Sequence, residues 1–140
     1  MPSVTDPIVH PAIDAAILLR VRAHIIEYLE LAASFDQQRA YQRTAPELNV
    51  PNEILHQWGD WVAEDWAQRY TAPVFSEHER VAMADYQRML DSLIEKAPAT
   101  APTLEQLFDQ PAWQALRSKA AEVLAVFMQR GKLPEQAEAP

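Results

Sequence analysis

The sequence predicts an all-α protein: a single-domain bundle of four main amphipathic helices, with a short extra helical turn before the last. Three observations carry this expectation. Apolar residues recur at helical spacing in four long stretches, and the eleven prolines fall between those stretches rather than within them. No run alternates with period two for long enough to form a strand. With only two glycines in 140 residues, neither a phosphate-cradling loop nor a tight-turn β architecture is available. Residues 1–131 read as the helical domain, with 1–10 as a flexible N-terminal segment.

The first helix is expected to start near Pro11, a suitable first-turn proline. At about 100° per residue, Ile13, Ile17, Leu18, Val21, Ile25, Tyr28, Leu29, Ala32 and Phe35 gather on one side. Beyond Phe35 the stripe fades into Asp36-Gln37-Gln38-Arg39, so the helix frays, bends or continues solvated to about Arg43. A loop over Thr44–Val50 follows, and a second helix is expected from Pro51 to about Tyr70. Its apolar side carries Ile54, Leu55, Trp58, Trp61 and Val62, with Trp66 at the margin. Gly59 inside this helix costs about 1 kcal/mol relative to Ala, which suggests a close helix approach or a local kink.

Ser76-Glu77-His78-Glu79 fits a capping box and marks the start of the third helix. Its stripe is Ala82, Met83, Tyr86, Met89, Leu90, Leu93, Ile94 and Ala97, and it ends at Pro98 and Pro102. Thr103-Leu104-Glu105-Gln106 is a second box, for a short turn that ends at Asp109. Pro111 opens the last helix, with Trp113, Leu116, Ala120, Val123, Leu124 and Phe127 on one face and Gly131 as its left-handed stop. The polar tail, 132–140, is expected to be disordered.

Composition narrows the function classes. There is no cysteine, which excludes disulfides, thiolate chemistry and Cys-based zinc sites and suits a reducing cytoplasm. The opening MPSVTDPIVHP carries neither a basic n-region nor an apolar h-region, so it does not read as a secretory signal. The apolar run Ala15–Leu19 is far short of the roughly 20 residues that span a bilayer. A net charge of −8 repels phosphate backbones and anionic lipid, so neither nucleic acid nor membrane is expected as a partner. An acidic field favours a basic protein.

The candidate chemistry is sparse. Glu53-Ile54-Leu55-His56 has the E-x-x-H spacing of di-iron bundles, but such a site needs two motifs and this chain has one. His24-Ile25-Ile26-Glu27 is the reversed spacing, and Glu53 and His56 project about 150° from the apolar stripe, toward solvent. No metal or cofactor is expected. His24 sits at a stripe edge, and no nucleophile elbow accompanies it, so catalysis is not expected either. Glu27–Glu30 and Glu64–Asp65 read as solvated surface charge.

The segment from Thr44 to Gln68 stands out. It has no Lys or Arg, five carboxylates (Glu47, Glu53, Asp60, Glu64, Asp65) and three of the four tryptophans (Trp58, Trp61, Trp66). On a continuous helix Asp65 would fall within about 30° of the stripe centre, where a carboxylate needs a partner such as Arg69 unless it caps a new turn. Trp66 lies off centre and is the preferred contact outside the monomer. The expected function is a non-enzymatic protein–protein interaction module that binds another protein or itself as a homodimer, and its partner-binding residues are Trp66, Glu64, Asp65, Trp61 and Trp58. One version is an immunity- or antitoxin-like protein covering a basic toxin. The alternative is a small-molecule-binding or enzymatic bundle with an aromatic pocket lined by Trp58, Trp61, Tyr86 and Phe127.

Overall fold

Ser34 divides what reads as one long first helix. Its hydroxyl accepts the Gln37 amide at 3.1 Å, the N-cap bond that restarts the chain as a second helix in a new direction. The computed structural model describes residues 15–96 and 102–133, and every element among them is helical. The order is α1 (Ala15–Ala32), α2 (Phe35–Thr44), α3 (Val50–Trp61), α4 (Trp66–Arg69), α5 (Glu77–Glu95), α6 (Leu104–Phe108) and α7 (Pro111–Met128). The expected start at Pro11, Ile13, the 1–10 segment, Ala97, Pro98 and residues 134–140 lie outside the described residues.

Two expectations need correction. The helix expected over 51–70 ends at Trp61, because Val62 turns extended (φ −116°, ψ 101°) and the Tyr70 hydroxyl takes over the broken ladder. That hydroxyl donates to the Trp61 carbonyl at 2.8 Å and accepts the Ala63 amide at 3.2 Å, satisfying two backbone groups that a continued helix would have paired. The chain restarts only as the single turn α4. Nor does Gly59 mark a close helix approach: a Cβ built there meets nothing within 4 Å. At the end of the described chain Lys132 reaches Glu27 at 3.3 Å and Leu133 packs against the core.

Both capping boxes form as the sequence implies. Ser76 and Glu79 exchange bonds at the start of α5, and Thr103 and Gln106 do so at the start of α6. Gly131 takes φ +74° just past α7, and its amide closes on the Phe127 carbonyl at 2.8 Å.

Four helices supply most of the core. α7 packs against both α5 and α1, α1 against α3, and α3 meets α5 only narrowly. α1 and α5 run in the same direction, since Arg22 meets Glu79 and Tyr28 meets Tyr86. α7 runs against α1: Arg22 near the start of α1 meets the Phe127 carbonyl, while Trp113 at the start of α7 meets Gln38 just past the end of α1. Ile25, Ile26, Leu29, Ile54, Phe75, Met83, Tyr86, Ala120 and Phe127 are fully buried between them. Each large apolar side chain so buried contributes about 1.5–3 kcal/mol. Among the described residues, no helix is long and apolar enough to cross a membrane.

Candidate functional site

The three clustered tryptophans occupy three different environments. Trp58 is 2 % exposed, packed on Tyr86 at 4.8 Å and on Tyr28 at 5.7 Å, and its indole N–H donates to Gln87 Oε1 at 2.5 Å. Its side chain is almost wholly covered by the core. Trp61 is half-buried, its ring stacked on His24 at 4.1 Å and 11°. Trp66 is half-buried at the start of α4, beside exposed Glu64 and Asp65.

Asp65 does not enter the apolar stripe, because the helix that would have carried it there ended at Trp61. It is 57 % exposed, pairs with Arg69 at 3.5 Å, and stands at the N-cap of α4 without a side-chain cap bond. α4 is held in place from both sides: Tyr70 stacks on Phe75 at 5.1 Å, and Arg80 of α5 donates to the Ala67 carbonyl.

The narrow meeting of α3 and α5 leaves a groove of about 510 Å³, which α4 closes at one end. Leu55, Ala63, Trp66 and Ile94 supply apolar surface, Glu64 and Asp91 are its carboxylates, the exposed His56 also lines it, and no Lys or Arg does. Trp58 and Gln87 form its floor. Gln87 accepts from the Trp58 indole and donates Nε2 to Asp91 Oδ1 at 3.0 Å, so the core fixes the orientation of a wall carboxylate. The pocket imagined between Trp58, Trp61, Tyr86 and Phe127 does not form: Trp58, Tyr86 and Phe127 fill the core, and Trp61 faces His24. Two further clefts, of about 630 Å³ beside α2 and α6 and about 240 Å³ beside Trp113, reach Pro102, next to the segment 97–101 that lies outside the described residues.

Two buried polar clusters are structural. Arg22 is 0 % exposed and uses all five N–H donors, on both Glu79 oxygens and on the Val74, Phe127 and Gly131 carbonyls. Glu79 also accepts from Arg130 and from the Ser76 amide. Burial alone would raise its pKa, but the two guanidiniums and the amide outweigh that and lower it from 4.5 to about 2. All five Arg22 donors and both Glu79 oxygens are thus engaged within the protein. In the second cluster the Tyr28 hydroxyl donates to the Ile54 carbonyl at 2.7 Å and accepts from Tyr86 at 2.8 Å. Burial holds both phenols well above their ordinary range, so neither serves as a base near neutral pH.

The remaining titratable candidates stay apart. Glu53 is half-buried and accepts from Gln57, His56 and His78 are exposed, and His24 pairs with Glu27 at 3.4 Å. Glu27 in turn meets Lys132. Among the described residues, no three His, Asp or Glu side chains gather closely enough to hold a metal ion.

Arg22, Arg130 and the wider role of Glu79 escaped the sequence reading. One signal was present: Arg22 lies on the same helical face as Leu18, Ile25 and Leu29, where a guanidinium must find a carboxylate. Comparison with known protein families, curated proteins and solved structures finds no match to this chain.

Proposed function

We propose that this protein is a non-enzymatic interaction module: a four-helix bundle of α1, α3, α5 and α7 that presents the groove between α3, α4 and α5 to a protein partner. The observation that carries this reading is Trp66, held half-buried on a groove whose charged walls, Glu64 and Asp91, are both acidic. A half-buried tryptophan on a partly apolar groove is the residue type that anchors binding hot spots, and the carboxylates supply orientation and association rate more than affinity. An immunity- or antitoxin-like role, covering a basic toxin, is the version that the acidity suits.

Two measurements test it. Affinity capture by the wild-type chain is expected to retain a partner that the Trp66→Ala variant loses, with thermal midpoints within a few degrees of each other. Light scattering of both chains at high concentration tests self-association. Capture indifferent to Trp66→Ala, with both chains monomeric, would leave Trp66 an ordinary half-buried side chain and end the proposal.

A further inference from the structure

Building on that reading, we infer that the groove's occupant is a cationic amphipathic segment of a different protein, with Lys or Arg flanking large apolar side chains, and not a second copy of this chain. Glu64 and Asp91 stand on facing walls, and neither pairs with a cation among the described residues. Asp91 is already oriented through the Trp58–Gln87 relay, so a cation that meets it does not have to order a freely rotating carboxylate. Trp66, two residues past Glu64, and Leu55 and Ile94, the latter about one helical turn past Asp91, are half-buried and open to the groove. From Gln87 to Ile94 the α5 wall runs about two helical turns, which matches an incoming segment of similar length.

Charge also decides against a second copy. A symmetric dimer on this face would set Glu64 and Asp91 against their own images in a chain of net charge −8, with no Lys or Arg in the groove to answer them. An asymmetric contact needs free cations elsewhere, yet most of this chain's are committed to its own carboxylates: Arg39 to Glu105, Arg69 to Asp65, Arg88 to Asp85 and Lys119 to Glu122.

The test uses the full chain labelled with fluorotryptophan, each indole assigned by Trp→Phe substitution and followed by fluorine NMR. The probes are a short amphipathic helix of Leu and Lys, its Leu/Glu counterpart, and oligolysine of equal length. The Leu/Lys peptide is expected to shift the Trp66 signal saturably and more tightly than oligolysine. Its affinity is expected to fall about tenfold or more with Glu64→Lys/Asp91→Lys, and by less than about twofold with Asp109→Lys/Glu122→Lys, which changes net charge equally. If the reversed-charge variant does not fold, Glu64→Gln/Asp91→Asn keeps the shape and is expected to weaken binding in the same direction. Equal losses in both charge-changed pairs, or equal binding of oligolysine, would reduce the effect to net charge and overturn the inference. Binding of the Leu/Glu peptide, or self-association through Trp66, would also overturn it while leaving the interaction reading in place. If no probe moves the Trp66 signal and partner capture survives Trp66→Ala, both fall together.

Discussion

Arg22 and Glu79, separated by 57 positions in the chain, meet in a bidentate pair at 2.6 and 2.9 Å. The pair ties α1 to the first turn of α5, and Arg130 brings the end of α7 onto the same carboxylate. Replacing one partner leaves the other charge buried and uncompensated, which costs about 3–5 kcal/mol. Glu79→Gln is therefore expected to lower the urea midpoint sharply or prevent folding, and a variant within about 1 kcal/mol of wild type would contradict this account of the cluster.

The same carboxylate sets an acid limb. A group whose folded pKa is depressed stabilises the fold fully above its unfolded value, and that stabilisation is lost as pH falls through the folded one. With Glu79 lowered from 4.5 to about 2, wild-type stability is expected to decline across that interval. Urea midpoints measured in pH steps should show this decline, and a variant in which Glu79 is replaced without unfolding should lose Glu79's share of it.

The tyrosine pair is asymmetric. Tyr28→Phe removes the donor to the Ile54 carbonyl and the acceptor for Tyr86 together, leaving buried groups unpaired at about 1–3 kcal/mol. Tyr86→Phe leaves the Tyr28–Ile54 bond in place and is expected to cost less, about 1 kcal/mol. Chemical denaturation of the two variants gives the order, and a reversed order would mean that the hydroxyl chain runs the other way.

Gln38 joins three elements by its amide alone. Its Nε2 donates to the Leu31 and Ala32 carbonyls at 3.2 and 3.1 Å, and its Oε1 accepts the Trp113 indole at 3.2 Å. Gln38→Leu preserves bulk but removes these bonds and leaves the buried Trp113 indole N–H without its acceptor, with an expected loss of about 1–3 kcal/mol in thermal or urea unfolding. A neutral result would show that water replaces the amide.

Gly59 offers a gain. It lies in the last turns of α3, and a Cβ there meets nothing within 4 Å, so Gly59→Ala is expected to stabilise by about 0.5–1 kcal/mol. A destabilised variant would show that the glycine has a conformational role in ending α3.

The helices whose boundaries could be read from sequence are those closed by local bonds. The Ser76–Glu79 and Thr103–Gln106 boxes each span three residues, and the left-handed Gly131 closes on a carbonyl four residues back, so the determinants of these ends lie side by side in the chain. All-helical architecture followed from apolar periodicity and the placement of prolines for the same reason. What only the tertiary structure decided depends on groups far apart in sequence. α3 stops at Trp61 because a hydroxyl nine residues away captures its ladder, and that stop moves Asp65 from a calculated core position out to the surface. Trp58 and Trp66, indistinguishable as residue types on one expected helix, separate into core and groove wall because Tyr28 and Tyr86 close over one of them. A three- or four-residue bond is nearly determined by the backbone that carries it, whereas a contact across 57 residues exists only when the whole core has assembled around it.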